Sequence, residues 1–317
     1  MTRALVTGAA GFVGSHLAEA LLDAGYVVRG IDNFETGRRS NLAPLQSRDG
    51  FTFREGDVRD PETVATLVTG VDHVFHQAAI ASVPRSVENP VAATDVNCTG
   101  TATVLDAARS AGVDTVVVAS SAAVYGADER VPKVETMRVD PESPYALSKY
   151  VTETLAVQAS DLYDLDAVAL RYFNVFGPRQ DPDGDYAAVI PTFASQMLDG
   201  ERPVVYGDGQ QSRDFIYVDD VVRANRLAAE GEVSGEVLNV GRGVGVTVME
   251  LVDALNDQLG TALDPVFESP RPGDVRHSRA DVTKAGALLG FEPEVSFEEG
   301  LGRTLAGFRE RRPSPSR

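Results

Sequence analysis

Long apolar segments and cysteine are both scarce in this chain of 317 residues. No apolar run approaches the roughly 18 residues that a membrane-spanning helix needs, so we expect no membrane contact. The start of the chain lacks the basic stretch, apolar stretch and cleavage site of a secretory signal, which predicts a cytoplasmic protein. The single cysteine, Cys98, cannot form an internal disulfide. Because the four histidines are scattered as well, we expect no metal site.

Lysine is also rare, and positive charge is outnumbered. Only Lys133, Lys149 and Lys284 are lysines among 29 basic residues, and 47 acidic residues give a net charge of −18. This charge argues against nucleic-acid binding, which needs a basic surface. An acidic excess with few lysines predicts a halophilic protein, since high salt screens surface charge strongly. A GC-rich genome would also favour arginine over lysine.

Short apolar runs alternate with amphipathic segments through the first half of the chain. This alternation is typical of strand–helix–strand units in a parallel sheet, and continuous apolar runs such as residues 116–118 fit strands that are buried on both faces. We therefore predict an α/β fold of the Rossmann type, with a doubly wound parallel sheet. The predicted strands are residues 3–7, 26–31, 52–55, 73–77, 115–120 and 167–172, and the helices are 14–24, 61–68, 91–111 and 144–160.

The pattern changes near residue 173. Residues 1–172 are predicted to form the sheet domain, and residues 173–317 a smaller α/β lobe from which some segments return to the first domain. In this lobe we expect a helix at 189–198 and a strand at 203–206. Two capping boxes, Thr247 with Glu250 and Ser296 with Glu299, predict the starts of two later helices. The charged, Pro- and Ser-rich residues 309–317 are predicted to be a disordered tail.

Three glycines, Gly8, Gly11 and Gly14, follow the first predicted strand and open the first helix. Glycine permits a tight turn and lets a pyrophosphate approach the helix N-terminus. Asp32 ends the second strand, where a carboxylate can accept both adenosine ribose hydroxyls and repel a 2′-phosphate, so we expect NAD. Loops after the third and fourth strands would line the same crevice. The predicted contacts are Gly8, Gly11, Phe12, Val13, Gly14, Asp32, Asn33, Asp57, Val58, Gln77, Ala78 and Ala79.

Tyr145 and Lys149 form the most specific candidate catalytic pair, since their i, i+4 spacing places them on one face of a helix. A tyrosine acting as a base near pH 7 needs its pKa lowered by about 3 units, or roughly 4 kcal/mol of anion stabilisation. Lys149 and a positively charged nicotinamide could supply this stabilisation together. Ser120 and Ser121 end the preceding strand, where a serine can hydrogen-bond the same substrate hydroxyl.

The motifs Thr7-Gly8-x-x-Gly11-x-x-Gly14, Ser120-Ser121-Ala-Ala-Val-Tyr125-Gly126 and Tyr145-x-x-x-Lys149 resemble the extended short-chain dehydrogenase/reductase family. Within it, residues 2–305 are similar to nucleotide-sugar epimerases and dehydratases. The resemblance implies that Tyr145 is the base, Lys149 its partner and ribose ligand, and Ser121 the hydroxyl-orienting residue. It places Asn97, Ser120 and Phe173 near the cofactor. The implied substrate contacts are Ser121, Asn174, Val189, Tyr206, Arg213, Asp274, Arg276 and Ser278, in which Arg213 and Arg276 hold a diphosphate.

Three chemistries share this scaffold, and all begin by oxidising the sugar C4 hydroxyl. The family's dehydratases carry an Asp-Glu pair directly after the serine or threonine, whereas this chain has Ala122 and Ala123. The sequence thus favours a UDP-sugar 4-epimerase that keeps NAD as a resident cofactor. Ser278 occupies a position where a tyrosine restricts some relatives to UDP-glucose, so an N-acetyl sugar is expected to fit as well. A dehydrogenase or reductase, a dehydratase and a non-catalytic NAD-sensing module stay as alternatives.

A homodimer is the expected assembly. The family commonly pairs two helices of each subunit into a four-helix interface, and residues 91–111 and 144–160 are the candidates here.

Overall fold

The computed structural model describes residues 1–182, 188–270 and 275–311, and the chain folds around one seven-stranded parallel sheet. The sheet has the order β3-β2-β1-β4-β5-β6-β11, which reverses direction between β1 and β4. In parallel sheets a ligand crevice opens at such a reversal, beyond the carboxyl ends of the strands. The seven strands are β1 (Arg3–Thr7), β2 (Val27–Asp32), β3 (Phe51–Glu55), β4 (His73–His76), β5 (Thr115–Ser121), β6 (Asp166–Tyr172) and, after four shorter strands, β11 (Glu236–Val240).

Helices cover both faces of this sheet and give each face its own core. Leu17 and Leu21 of the first helix are buried in one core, and Val104 and Val116 are buried in the other. The fold therefore has the doubly wound layers that the alternating sequence predicts. The helices are α1 (Phe12–Asp23), α2 (Arg39–Gln46), α3 (Pro61–Val68), α4 (Val83–Glu88), α5 (Pro90–Thr94), α6 (Gly100–Ala111), α7 (Pro144–Leu162), α8 (Val189–Leu198), α9 (Val218–Glu230), α10 (Val248–Leu259), α11 (Thr283–Leu289) and α12 (Phe297–Arg311).

A smaller lobe after β6 consists of short paired strands and the last helices. β7 (Asn174–Phe176) pairs with β10 (Phe215–Tyr217), β8 (Val204–Tyr206) with β13 (Val266–Glu268), and β9 (Ser212–Arg213) with β12 (Val246–Thr247). β11 leaves this lobe and completes the large sheet beside β6. The C-terminal half thus supplies both a wall over the crevice and one edge of the sheet itself.

The predicted fold class is confirmed, and most element bounds agree to within two residues. Two differences have clear physical reasons. The predicted helix 91–111 is divided by a π-helical turn, Asp95–Thr99, between α5 and α6. The tail predicted to be disordered from residue 309 differs at residues 309–311, which form the end of α12. Phe308 is buried, and Arg311 donates a hydrogen bond to Asn41 Oδ1 at 3.1 Å. Residues 312–317 lie outside the described residues.

Helices α2, α4, α9 and α11 were not anticipated from the sequence. α2 contains Pro44 and is short, and α9 lacks a side-chain cap. The capping box at Thr247 is present with both of its hydrogen bonds, and Ser296 accepts from the Glu299 backbone at 3.1 Å. Within the described residues, no helix is long and apolar enough to span a membrane.

A buried ion pair joins α7 to β6. Arg171 donates Nε to Glu153 Oε2 at 2.9 Å and Nη2 to Oε1 at 2.6 Å, and each side chain is at most 5% exposed. The Ser120 hydroxyl at the end of β5 donates to the same carboxylate at 2.9 Å. Three neighbouring elements are therefore tied together by one carboxylate with no access to water.

Replacing Glu153 with Gln leaves the Arg171 guanidinium buried without its counter-charge. Breaking one partner of such a pair costs about 3–5 kcal/mol, so the free energy of unfolding in urea falls by that amount. The control is Asp106→Asn, which breaks an exposed pair with Arg109 and costs less than about 1 kcal/mol. Equal losses of unfolding free energy in the two variants would show that the buried ion pair contributes no more to stability than the exposed one.

Candidate active site

The glycine loop packs so tightly that side chains are excluded at two positions. A Cβ on Gly14 would lie 2.1 Å from the carbonyl oxygen of Gly8, and one on Gly8 would lie 2.8 Å from the Ala78 nitrogen. Gly8 also has a φ of +68°, which L-residues rarely adopt. Gly11 caps α1, so the backbone N–H groups of Phe12 and Val13 belong to its exposed first turn, while their side chains pack on the core. This arrangement fits a pyrophosphate at the helix N-terminus.

Asp32 is held rigidly at the end of β2. Its Oδ2 accepts from the Ala10 backbone at 2.9 Å and its Oδ1 from the Phe34 backbone at 2.7 Å. Burial raises the pKa of Asp32, and these two hydrogen bonds oppose that rise. A Cβ on Gly37 would lie 2.7 Å from Oδ1, so a glycine is required beside the carboxylate. An oriented carboxylate at this place fits the ribose hydroxyls of NAD.

One cleft gathers most of the predicted cofactor residues. Asp57 in its wall accepts from Asn33 Nδ2 at 3.1 Å and is paired with Arg59, which lowers the pKa of Asp57 to about 2. The predicted residues that line this cleft are Gly8, Gly11, Asp32, Asn33, Asp57, Val58, Gln77, Ala78 and Ala79. Sequence reasoning missed Ile31, Glu35, Thr36, Gly56, Ile80 and Val96, which also line it. Most of these are immediate sequence neighbours of predicted residues, so a wider reading of the same loops would have included them.

The catalytic pair lies in the first two turns of α7. Ser143 accepts from the Ala146 backbone at 3.1 Å and so caps this helix. Lys149 is buried and donates Nζ to the Ala119 carbonyl at 2.7 Å. Burial lowers the pKa of Lys149 to about 8. Burial raises the pKa of Tyr145, although a hydrogen bond with Ser121 acts in the opposite direction.

The pKa shifts of Tyr145 and Lys149 indicate that the site needs a further positive charge. The phenol of Tyr145 stays protonated in its own surroundings, because desolvation disfavours the phenolate. Lys149 loses part of its charge near pH 8 for the same reason. A further positive charge beside the phenol would stabilise the anion, and the oxidised nicotinamide ring carries one. Tyr145 and Lys149 are therefore suited to a cofactor that carries a positive charge at the time when the Tyr145 phenol is deprotonated.

Two predicted cofactor residues support the site from behind rather than lining the cleft. Ser120 is buried against Glu153, as described above. Asn97 is 1% exposed, accepts from the Ile80 backbone at 2.8 Å and donates Nδ2 to Ser148 Oγ at 2.8 Å. Their side-chain hydrogen bonds connect structural elements, and a direct contact of either residue with NAD stays a prediction.

The predicted substrate residues divide between two adjoining clefts. Ser121 and Ser278 line the cleft nearest the catalytic helix, together with Ala122, Ala123 and Tyr125. Val189 and Tyr206 line the outer cleft. Phe173, Asn174 and Arg213 line both, so the two clefts form one continuous trough. Phe173 also packs on Tyr125, with ring centroids 6.4 Å apart.

Two predicted substrate residues are not part of this lining. Arg276 pairs with Asp208 at 3.1 Å, and both side chains are more than half exposed. Its guanidinium is therefore engaged at the rim of the lobe, and a diphosphate contact would require it to exchange partners. Asp274 lies outside the described residues. Gln180 and Gln211 line the outer cleft and were not anticipated, because amides in irregular loops carry no distinctive sequence signal.

Comparisons with known proteins agree with this arrangement. A model of the NAD dependent epimerase/dehydratase family matches residues 4–241. A UDP-glucose 4-epimerase of Mycolicibacterium smegmatis is 42% identical over 311 residues, covering 98% of this chain and 99% of that protein.

Two solved structures are also similar along nearly the full length. A UDP-N-acetylglucosamine 4-epimerase of Methanobrevibacter ruminantium, in complex with UDP-N-acetylmuramic acid, superposes with a TM-score of 0.94 at 40% identity, covering 98% of this chain and 99% of that one. A UDP-glucose 4-epimerase of Thermus thermophilus in complex with NAD gives a TM-score of 0.86 at 40% identity, covering 98% and 100%. This chain belongs to the NAD dependent epimerase/dehydratase family, and NAD is its cofactor.

Proposed function

We propose that this protein is a UDP-sugar 4-epimerase that interconverts UDP-glucose with UDP-galactose, and UDP-N-acetylglucosamine with UDP-N-acetylgalactosamine. The observation that carries the proposal is the composition of the cleft beside Tyr145. Ser121 lines it, and the next two residues along the chain, where dehydratases of this family carry an Asp-Glu pair, are Ala122 and Ala123. Alanine side chains cannot move protons, so these two positions lack the acid–base pair with which a dehydratase expels the C6 hydroxyl. The full-length similarity to 4-epimerases supports the same conclusion.

Each side chain has a defined task in this proposal. Bound NAD supplies the hydride acceptor and donor at C4. Tyr145 removes the proton from the C4 hydroxyl and returns it, and Ser121 orients that hydroxyl. Lys149 holds the nicotinamide ribose and stabilises the phenolate. Asn174 and Arg213, at the junction of the two clefts, hold the diphosphate while the sugar turns and presents its other face.

The two regions of the chain share this work. We propose that residues 1–172 hold NAD and the catalytic groups, and that residues 173–317 mainly hold the sugar nucleotide. β11 is the segment that returns to the first region. A dehydratase is disfavoured by Ala122 and Ala123, and a non-catalytic NAD-sensing module by the presence of both Tyr145 and Lys149. A dehydrogenase would have to release reduced cofactor, whereas an epimerase restores it in each turnover.

The substrate range follows from the wall of the inner cleft. Ser278 lines it, and its small side chain leaves room for an acetamido group. We therefore infer activity on both the glucose and the N-acetylglucosamine series.

The first test incubates purified protein with each UDP-sugar and separates the C4 epimers by chromatography. We expect galacto products from both series without added NAD, and NAD that survives gel filtration. Tyr145→Phe removes the proton acceptor, so kcat falls about 10²–10⁴-fold while bound NAD is retained. Formation of a 4-keto-6-deoxy sugar, or net release of NADH, would identify one of the alternatives instead.

A second test changes the inner cleft alone. Ser278→Tyr fills the space next to the sugar, so kcat/KM for UDP-N-acetylglucosamine falls about 10–200-fold, as a mismatch worth about 1–3 kcal/mol would produce. The value for UDP-glucose stays within about threefold, and Ser278→Ala, the matched control, preserves both activities. A parallel loss on both substrates would show that Ser278 does not select between them.

We also propose that a second copy covers an apolar face formed by α4, α5 and α7. Val87, Val91 and Leu147 are more than half exposed on these helices, and Tyr150 of α7 is 37% exposed. Exposed apolar side chains clustered on neighbouring helices are typical of an interface. Sedimentation equilibrium should give twice the chain mass of 33.8 kDa. Val91→Glu with Leu147→Glu should give a monomer, and an unchanged mass would place the interface elsewhere.

A further inference from the structure

His76 lies at the end of β4, buried beneath both the cofactor cleft and the catalytic helix. It is 3% exposed, and its two ring nitrogens both face hydroxyl groups. Nδ1 is 2.8 Å from Thr7 Oγ1, and Nε2 is 3.0 Å from Thr101 Oγ1. The proposed reaction uses none of these three side chains directly.

The hydrogen bonds around this imidazole run in one direction. Thr7 Oγ1 accepts from the backbone N–H groups of Gln77 and Ala78, both at 3.1 Å, so its own proton is available for Nδ1 of His76. Nδ1 is therefore the acceptor, and the ring carries its proton on Nε2. That proton is donated to Thr101, whose hydroxyl in turn donates to the Asn97 carbonyl at 2.5 Å. Burial, and then the charge of Lys149, lower the pKa of His76 to about 3, so the ring stays neutral.

The far end of this chain of bonds reaches the catalytic tyrosine. Asn97 lies in the π-helical turn, a type of irregularity often found at functional sites. Its side chain binds the Ile80 backbone and donates to Ser148 Oγ, which donates to the Tyr145 carbonyl at 2.7 Å. One buried path of hydrogen bonds thus runs from the loop that lines the cofactor cleft to the residue that carries the phenol.

We propose that His76 and Thr101 are positioning residues for the epimerisation: a neutral imidazole sets the distance between the cofactor loop at Gln77–Ala78 and the catalytic turn at Tyr145–Lys149. The inference rests on the proposed function for its kinetic consequence. The hydrogen-bonded path from Thr7 through His76 and Thr101 to Asn97, called the relay below, exists independently of that function. Hydride transfer depends steeply on the relative placement of two bound reactants. A loosened relay therefore lowers the rate of chemistry more than it weakens substrate binding.

A pair of isosteric substitutions separates this role from ordinary stability. Thr101→Val removes the hydroxyl that joins His76 to Asn97. Thr152→Val is the matched control, because Thr152 is equally buried at 1% exposure but only approaches Thr101 Oγ1 at 3.3 Å and the Asn97 carbonyl at 3.4 Å. We expect kcat of Thr101→Val to fall at least tenfold, with KM and bound NAD within about twofold of the native enzyme, and Thr152→Val to keep kcat within about twofold.

Two further measurements keep the inference testable if a variant folds poorly or the enzyme has another activity. His16, which donates Nε2 to the Pro178 carbonyl at 2.9 Å, and His76 are both expected to be Nε2-protonated and neutral down to about pH 4 in nitrogen-15 NMR of the histidine-labelled holoenzyme. Thr101→Val should move the His76 resonances and leave those of His16 unchanged, while Thr152→Val should move neither. His76→Gln, whose amide can still donate to Thr101, should recover at least fivefold of the kcat that His76→Phe loses. Equal kcat in the two threonine variants, or a His76 ring protonated at Nδ1, would overturn the proposal. Absence of C4 epimers with native protein would count against the function, and the imidazole resonances would still decide the relay.

Discussion

The carboxylate of Glu153 is the group on which the geometry of this site depends. It receives two bonds from Arg171 on β6 and one from Ser120 on β5, while it is itself part of α7. Each of these elements also carries a residue of the site close by: Ser121 follows Ser120 on β5, Tyr172 follows Arg171 on β6, and Lys149 precedes Glu153 on α7 by one helical turn. A buried ion pair gives little net stability. Its value here is that two strands and a helix cannot slide past one another without exposing an uncompensated charge.

The electrostatics around Tyr145 follow from the same dry environment. Burial makes ionisation of both the Tyr145 phenol and the Lys149 ammonium unfavourable. A tyrosine in such surroundings becomes a base only when an external cation arrives. In the proposed reaction, proton removal is therefore linked to the oxidised state of the cofactor, and an enzyme that holds reduced cofactor has a weaker base.

Local patterns predicted most of the sheet and the cofactor loop, because glycine spacing, strand-ending carboxylates and helix caps act over a few residues. The pairing of β11 with β6 was expected only in outline, since the sequence of residues 236–240 does not indicate which strand it pairs with. Arg276 shows a second limit: the resemblance placed it on the diphosphate, whereas its pairing with Asp208 depends on the fold of the lobe. Ser120 and Asn97 were assigned to the cofactor by resemblance, whereas their bonds run to the protein itself. The interpretation of the negative charge as an adaptation to high salt stays a prediction.

β11 is the last strand of the large sheet to be synthesised, and this order affects how the chain folds during synthesis. On a ribosome, residues 1–172 emerge with six strands of the sheet, and β6 is then an open edge with unpaired backbone groups and apolar neighbours. Its partner is not synthesised until residue 240, after about seventy further residues that contain most of the substrate trough. An unprotected inner strand invites pairing with other nascent chains. The final strand therefore closes the open edge of the sheet, and it couples completion of the sheet to the synthesis of the lobe that we propose to hold the sugar nucleotide.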